Sequence, residues 1–437
     1  IANGDWSSDV CSSDLFVMKR NAVRIMILYL AVVFAFCGCA SSPEKPVYEL
    51  SRYAENNDLL GGMLRVENGV LVDENGNEIV LHGVNLGNWL LIETWMSWIE
   101  NYSDEWGYYD TIEVLSERFG AEKTAELINT YENNFIRETD IEQIEKLGFN
   151  CVRVPFWYRN FMTENGEWLT ENPDDNPGFR QIDRLIELCR ERNIYIILDM
   201  HGAPGGQSMN HSTGKAGRNE LYTDNTCMDT CVELWKGIAE RYKDEEVIAA
   251  YDLLNEPQNN GGYEGENAWQ AESDEAVEKT NSAYDTLYKA VRETGDNHII
   301  SFEGIWSADV LPDPEENGYT NMLYQMHLYD TKASNIRSRV REMVKMRKKW
   351  GVAVFVGEYN NGEYEAYADM LYKDNGISTA KWTYKTFNAG EQWGIFNKDT
   401  ERIDIKTASY EEILDFLQNE LFTDSFTFNA EEMAAIY

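Results

Sequence analysis

Two apolar, strand-like runs of the chain stop at a carboxylate: "YDLLNEPQ" (Tyr251 to Gln258) and "VAVFVGEYN" (Val352 to Asn360). They set Glu256 and Glu358 at strand lips, and Pro257 blocks regular continuation behind the first. Two carboxyl groups facing each other across a mouth suit cleavage of a glycosidic bond. One must be a protonated acid that assists departure of the leaving oxygen, the other an ionised nucleophile that attacks the anomeric carbon. Both tasks at one pH require surroundings that push the two pKa values apart. The rival carboxylates are Asp199, Asp252 and Glu303. Period-two alternation puts Asp252 on the same side as Glu256 but deeper, where a structural role is expected. Asp199 can pair with Arg153 in that lower layer, and Glu303 is left open as a substrate contact.

Such a pair needs a frame, and the sequence supplies one by alternation. Strand-like segments recur at "IVLHGVNLG", "NCVRVPF", "IYIILDMHG", "VIAAYDLLNEP", "HIISFEG", "MLYQMHLYD", "VAVFVGEYN" and "ISTAKWTYK". Several are near-continuously apolar, as strands covered on both faces must be. Helical patterns lie between most of them, among them "NFIRETDIEQIEKLGF" with Gly148 as its cap, and "PGFRQIDRLIELCRERN", which opens on Pro177. Others are "TCVELWKGIAERYK", "AVEKTNSAYDTLYKAVRET", "SRVREMVKMRKKWG" and "SYEEILDFLQNEL"; the connection from Ile305 to Tyr319 is the poorest helix candidate. Eight strands alternating with helices specify a closed (β/α)8 TIM barrel or a doubly wound sheet, both α/β. The strand count favours the barrel, and no glycine-rich dinucleotide fingerprint supports the alternative. The Asn-Gly turns within "LRVENGVLVDENGNEIVL" (Leu64 to Leu81) predict an N-terminal β-hairpin that caps the barrel floor. The tail from Phe422 to Tyr437 is uninformative.

In a (β/α)8 barrel the site is built at the C-terminal ends of the strands. Those ends carry, in order, Asn85 and Asn88, Arg153, Asp199 with His201, Asn255 with Glu256, Glu303, His327 with Tyr329, Glu358, and Trp382. One polar strand end means little, because loops begin there. So many, of types that bind and cleave sugars, predict a functional site. Each has a plainer reading: Arg153 as a buried counter-ion, Trp382 as barrel packing. His82 is read as structural, and His211, in a long loop, as either a surface residue or a substrate contact.

The 437 residues carry 76 acidic and 38 basic side chains, a formal charge of −38. Such a surface repels nucleic acid and anionic headgroups, so a neutral partner, a β-linked polysaccharide or oligosaccharide, fits better. No cofactor and no metal are expected: two carboxyl groups and water complete the chemistry, and no histidine sits at zinc spacing from the cysteines. Cys151, Cys189, Cys227 and Cys231 are read as buried free thiols.

Asp5 to Leu15 back-translates to a common sequencing-library adapter read in frame, so residues 1–17 are set aside. Residues 18–39 then read as an export signal: a basic start (Lys19, Arg20, Arg24), an apolar run from Ile25 to Phe36 too short to span a membrane, and "CGCASS". That end resembles a bacterial lipoprotein signal, with Cys39, or alternatively Cys37, as the lipid-bearing residue, which implies export and anchoring to an outer membrane or cell surface. Residues 40–58 read as a linker and 59–437 as a single catalytic domain.

"LLNEP", "VGEYN", "VRVPF", "MHLY" and "KWTYK", in that order from about Val70 to Trp382, resemble glycoside hydrolase family 5. The resemblance implies a retaining mechanism with Glu256 as acid/base and Glu358 as nucleophile. It implies that Arg153 and Tyr329 support the nucleophile and that Asn255 binds the sugar 2-hydroxyl. His201 and His327 then line the site, and Trp382 floors the central subsite. "GVNLGNWLLIETW" and "HGAPGGQ" are similar to the exo-β-1,3-glucanase branch, from which Tyr359 and the "GGQSMNHSTGK" loop depart. The expected substrate is a β-glucan, β-1,3 or mixed-linkage. The alternatives are another family 5 substrate (cellulose, mannan or a glycoconjugate) and a non-catalytic glycan-binding barrel, against which the intact glutamates speak. The stretch from Trp89 to Tyr109, with Trp95, Trp98, Tyr102, Trp106 and Tyr108, could wall an aromatic subsite; Trp306 and Trp393 are further candidates.

Overall fold

The structure, a computed structural model, describes residues 61–259, 273–304, 307–390 and 393–429. The segments read as adapter, export signal and linker, with Cys37 and Cys39, lie outside the described residues, as does Trp306.

The described chain opens with a small antiparallel sheet of β1 (Arg65–Glu67), β2 (Val70–Val72) and β3 (Glu78–Ile79). Asn68 and Gly69 join the first two strands with φ of 52° and 82°, the positive values a tight two-residue hairpin turn requires. Eight parallel strands then close into a barrel: β4 (His82–Asn85), β5 (Cys151–Trp157), β6 (Tyr195–Gly202), β7 (Ile248–Asp252), β8 (Ile299–Glu303), β9 (Met322–Leu328), β10 (Ala353–Tyr359) and β11 (Ser378–Lys381). They are neighbours in chain order, and β11 pairs with β4 to complete the ring. Every residue in these eight strands is buried, which is why their sequences run apolar without alternation.

The barrel interior changes character with height. At the floor, Leu64 and Leu71 of the hairpin sheet pack with Cys151, Tyr195, Ile197, Ile299, Leu323 and Phe355. Burial of each such large side chain contributes about 1.5–3 kcal/mol, so the hairpin seals the floor as expected. Above that layer the interior turns polar, with Asn85, Arg153, Asp199, Asp252 and Gln325 all fully buried.

The helices depart from the sequence reading in two places. The segment 134–149, expected as one helix, is two: a helix ends at Phe135 and another runs Glu138–Lys146. Between them Ile136 and Arg137 are extended, and the Asp140 carboxylate accepts the Arg137 N–H at 2.7 Å, capping the new start. Gly148, at φ 76°, does turn the chain out of the second helix. The helices Tyr108–Phe119, Ala121–Phe135 and Glu365–Asp374 had not been anticipated as such.

The last barrel strand stops at Lys381, and the rest of its apolar run enters a separate sheet of β12 (Lys385–Phe387), β13 (Phe396–Lys398) and β14 (Thr427–Phe428). The tail that looked uninformative thus supplies a strand. Lys385, fully buried, is accommodated by carbonyl oxygens of Phe135 and Leu421 and the Thr423 hydroxyl, as a buried cation must be. The four described cysteines are free thiols; three are buried and Cys227 is half-buried. Among the described residues no helix is long and apolar enough to cross a membrane.

Candidate active site

The site grows from Arg153, which β5 carries into the centre of the barrel with no exposure. A guanidinium there must be fully paired, because each unmet charge in a dry interior costs several kcal/mol. Its Nη2 lies 3.1 Å from Asp199 Oδ2 and 2.9 Å from Asp252 Oδ2, while Nη1 lies 2.9 Å from Glu358 Oε1. It also donates to Asn85 Oδ1 at 3.0 Å and to Asn255 Oδ1 at 2.8 Å. The deeper pair of carboxylates read from the sequence is therefore a real layer beneath the mouth. Burial there pushes Asp252 up to about 7, against the pull of Arg153 and with the Asp199 charge adding to the rise.

Glu358 stands where β10 is irregular: its pairing with β9 shifts register between Val356 and Glu358. Gly357 sits at that shift because a Cβ there would overlap Gln325 Oε1 and approach His327 Nε2 at 3.1 Å. The Tyr329 hydroxyl donates to Glu358 Oε2 at 2.6 Å, so each oxygen of this carboxylate has its own donor.

Across the ring the chain leaves β7 through Asn255 and Glu256. Glu256 has φ 41°, a left-handed conformation uncommon outside glycine. Asn255 Nδ2 faces His201 Nε2 at 3.4 Å, and His201 Nδ1 lies 2.7 Å from Asp199 Oδ2. Burial depresses the His201 pKa, but the adjacent Asp199 carboxylate, with the charges of Glu358 and Glu93, outweighs it and pushes the value up to about 9. Trp382 stacks on the His201 ring, centroids 5.6 Å apart and planes 11° from parallel.

His327 joins the two lips. Its Nδ1 is 3.0 Å from Glu256 Oε1 and 3.4 Å from Glu358 Oε2, and burial lowers its pKa to about 3, leaving a neutral ring. Glu303 sits beneath, 2% exposed, with Oε2 accepting the Glu256 N–H at 2.6 Å. Burial raises the pKa of Glu256, partly offset by His201 and reinforced by Glu93. Among the described residues, Glu256, Glu303 and His327 have ligand-type atoms within 4.8 Å of one another, a spacing a cation could use. One of those carboxyl groups is already engaged by the Glu256 amide, and burial favours the neutral forms of both acids and of the imidazole. Such a donor set is suited to holding protons and is poor in the charge a metal ion needs.

The structure thus brings Arg153, His201, Asn255, Glu256, Glu303, His327, Tyr329, Glu358 and Trp382 together. Trp95 joins them through Trp393, 5.3 Å away edge-on, and Trp393 lies 6.0 Å from Tyr329. The other aromatics of the 89–109 stretch do not wall the site. Trp98 and Tyr108 are buried in the core, and Tyr102 pairs with Trp106 beneath Lys406. His82 is buried and stacked on Phe149, which fits its structural reading.

Two residues escaped the sequence reading. Glu93, buried to 7% exposure, accepts the Trp95 indole N–H at 3.0 Å and lies 3.5 Å from His211 Nε2, which ties the His211 loop to the site. Gln207 donates to the carbonyls of His201 and Asn255 at 2.8 and 2.9 Å and accepts the Ala203 N–H, clamping the third and fourth strand ends together. The signal for Glu93 was an acid inside the apolar run "NWLLIETW"; Gln207 closes the quoted segment "HGAPGGQ", but nothing in the sequence marked it as a clamp.

A family model described as Cellulase (glycosyl hydrolase family 5) matches residues 116–388. A β-xylosidase of Phanerodontia chrysosporium is 26% identical over 363 residues, 74% of this chain and 70% of that protein. A probable glucan 1,3-beta-glucosidase A of Aspergillus clavatus is 32% identical over 193 residues, so that less than half of either protein, 42%, is matched. Among solved structures, a rutinosidase from Aspergillus niger superposes with a TM-score of 0.57 at 15% identity, covering 78% of this chain and 98% of that one. An endogalactoceramidase superposes with a TM-score of 0.56 at 18% identity, covering 82% and 84%. These superpositions establish a shared fold. With the family match running through all but the first of the eight barrel strands, the chain belongs to glycosyl hydrolase family 5.

Proposed function

We propose that the chain is a retaining hydrolase that cleaves β-glucosidic bonds of a β-glucan, β-1,3 or mixed-linkage, with Glu358 as nucleophile and Glu256 as acid/base. The observation that carries this reading is the shared reach of His327 Nδ1, 3.0 Å to Glu256 and 3.4 Å to Glu358. Carboxyl groups held that close suit the separation of about 5–5.5 Å in retaining enzymes better than the wider gap that admits a water in inverting ones.

In the first step a Glu358 oxygen bonds to the anomeric carbon as the glycosidic C–O bond breaks, and the Glu256 proton passes to the leaving oxygen. In the second, water attacks the same carbon, gives its proton to Glu256 and displaces Glu358. Arg153 and Tyr329 each donate to one oxygen of the nucleophile and orient it, and burial favours the protonated form of Glu256. Asn255 shares the Arg153 guanidinium with the nucleophile, and its amide is the group assigned to the sugar 2-hydroxyl. Trp382 offers the ring face for the central sugar, and Trp95 with Trp393 offers a neighbouring wall.

The glucan assignment draws on the relatives named as glucan 1,3-beta-glucosidases, and the β-xylosidase relative makes xylosides the control substrate. Export and lipid attachment at Cys39 rest on the sequence of residues 18–39, and a single catalytic domain over 59–437 on the continuity of the barrel.

The test is a product-size profile over time on β-1,3-glucan, mixed-linkage glucan, cellulose, mannan and xylosides, with Glu358→Ala as control. Glucose released from β-1,3-glucan, alone or within a ladder of oligosaccharides, supports the assignment and separates a blind pocket from an open cleft. Products from mannan or xylosides only would transfer the substrate assignment there. Turnover by Glu358→Ala at the wild-type rate would overturn the nucleophile.

A further inference from the structure

We propose that Glu303 is a positioning residue: a neutral carboxyl group that fixes the left-handed turn at Glu256 and thereby aims that side chain at the leaving oxygen. The inference rests on the reading of Glu256 as the acid.

A non-glycine residue at φ 41° is strained, and it persists only where its surroundings enforce it. Here the enforcement comes from the neighbouring strand. Glu303, last residue of β8, accepts the Glu256 N–H on Oε2 at 2.6 Å. Its own backbone is anchored in turn: the Glu303 N–H donates to the Tyr284 hydroxyl at 2.9 Å, from the helix Asp274–Glu293. Without the Glu303 side chain, the half-buried Glu256 N–H would lose its acceptor at a backbone position already under strain.

The second oxygen of Glu303 points to a neutral group. Oε1 is buried and accepts no hydrogen bond, and the basic atom beside it is His327 Nδ1, 3.5 Å away. The groups facing it are Glu256 beyond β7, Asp252 within β7, His327 of β9, Tyr284 of the helix and Arg153 of β5. Two are further carboxyl groups, and the one guanidinium already serves Asp199, Asp252 and Glu358. Burial, then the nearby Glu256 and Asp252 charges, raise the Glu303 pKa well above the usual range.

The experiment compares aryl β-glycosides with good and poor leaving groups across wild type, Glu256→Ala, Glu303→Ala and Glu303→Gln. An acid is needed most where the leaving group is poor. Glu303→Ala is expected to lose about ten- to a hundredfold more kcat on the poor leaving group than on the good one, with KM within about twofold of wild type. Glu303→Gln keeps an acceptor oxygen and no charge. It is expected to hold kcat and the alkaline limb of the pH profile near wild type.

Equal loss on both substrates with a raised KM would make Glu303 a substrate contact and overturn the proposal. So would unchanged kinetics in Glu303→Ala, or an alkaline limb displaced downward in Glu303→Gln, the signature of a charge removed beside Glu256. If Glu303→Ala does not fold, the pH profile of Glu303→Gln still decides. Glu256→Ala separates the two readings. If it shows no leaving-group dependence, the acid assignment fails; if it does and Glu303→Ala does not, only this inference fails.

Discussion

Tyr329 donates its hydroxyl to Glu358 Oε2 across 2.6 Å, opposite the Arg153 bond to Oε1. A hydrogen bond to a charged group contributes about 1.5–3 kcal/mol. Tyr329→Phe is therefore expected to lower kcat roughly ten- to a hundredfold. Because Tyr329 is the exposed member of the pair, the fold should be unaffected. Steady-state kinetics beside a thermal melt checks this; an unchanged kcat would remove Tyr329 from the support of the nucleophile.

The raised pKa of Glu256 has a kinetic consequence. An acid whose protonated form burial favours loses activity above the ordinary glutamate range, so the alkaline limb of kcat/KM should lie there. In Glu256→Gln that limb should vanish on a substrate with a good leaving group. A limb that persists in the variant would assign it to another group.

Gly357 is the residue that the register shift before Glu358 cannot spare. Gly357→Ala should push the Gln325 amide and the His327 ring from their places. A displacement on the order of 1 Å at such a site can cost about a hundredfold in rate. Kinetics of the folded variant tests this, and near-normal kcat would show that the strand gives way at no cost.

Away from the mouth, Glu132 is buried beneath Asn160, and burial pushes its pKa up to about 8, partly countered by Arg184. A folded-state value above the unfolded one means the native protein binds more protons between those two values. Stability from this group is then complete below about pH 4.5 and falls as pH rises toward 8, by about 1.4 kcal/mol per unit. Glu132→Gln should match wild type near pH 4.5 and be the more stable protein at pH 8, measured by denaturant unfolding at both. Parallel stability curves for the two proteins would sink the expectation.

The barrel was legible because parallel strands covered on both faces must be apolar throughout, and the eight runs are. The break at residues 136–137 was not, since the helical pattern continues through it. What starts the second helix afresh is capping by Asp140, whose carboxylate also meets Lys385 and Thr423 from far along the chain. The aromatics of residues 89–109 show the same limit. Trp95, beside Trp393, and Trp98, buried in the core, are alike in sequence and differ only in what the fold packs on them.

The sequence by itself determined the kinds of group at each strand end and their order, because strand periodicity decides which residues can reach the mouth. It carried the pair Glu256 and Glu358, the guanidinium and the stacked indole. Only the tertiary structure decided that the Glu303 carboxyl group accepts the Glu256 amide, that Glu93 and Gln207 belong to the site, and that one imidazole reaches both glutamates. Those relations depend on the relative register of strands distant in sequence, which is set when the barrel closes and side chains compete for the same interior volume.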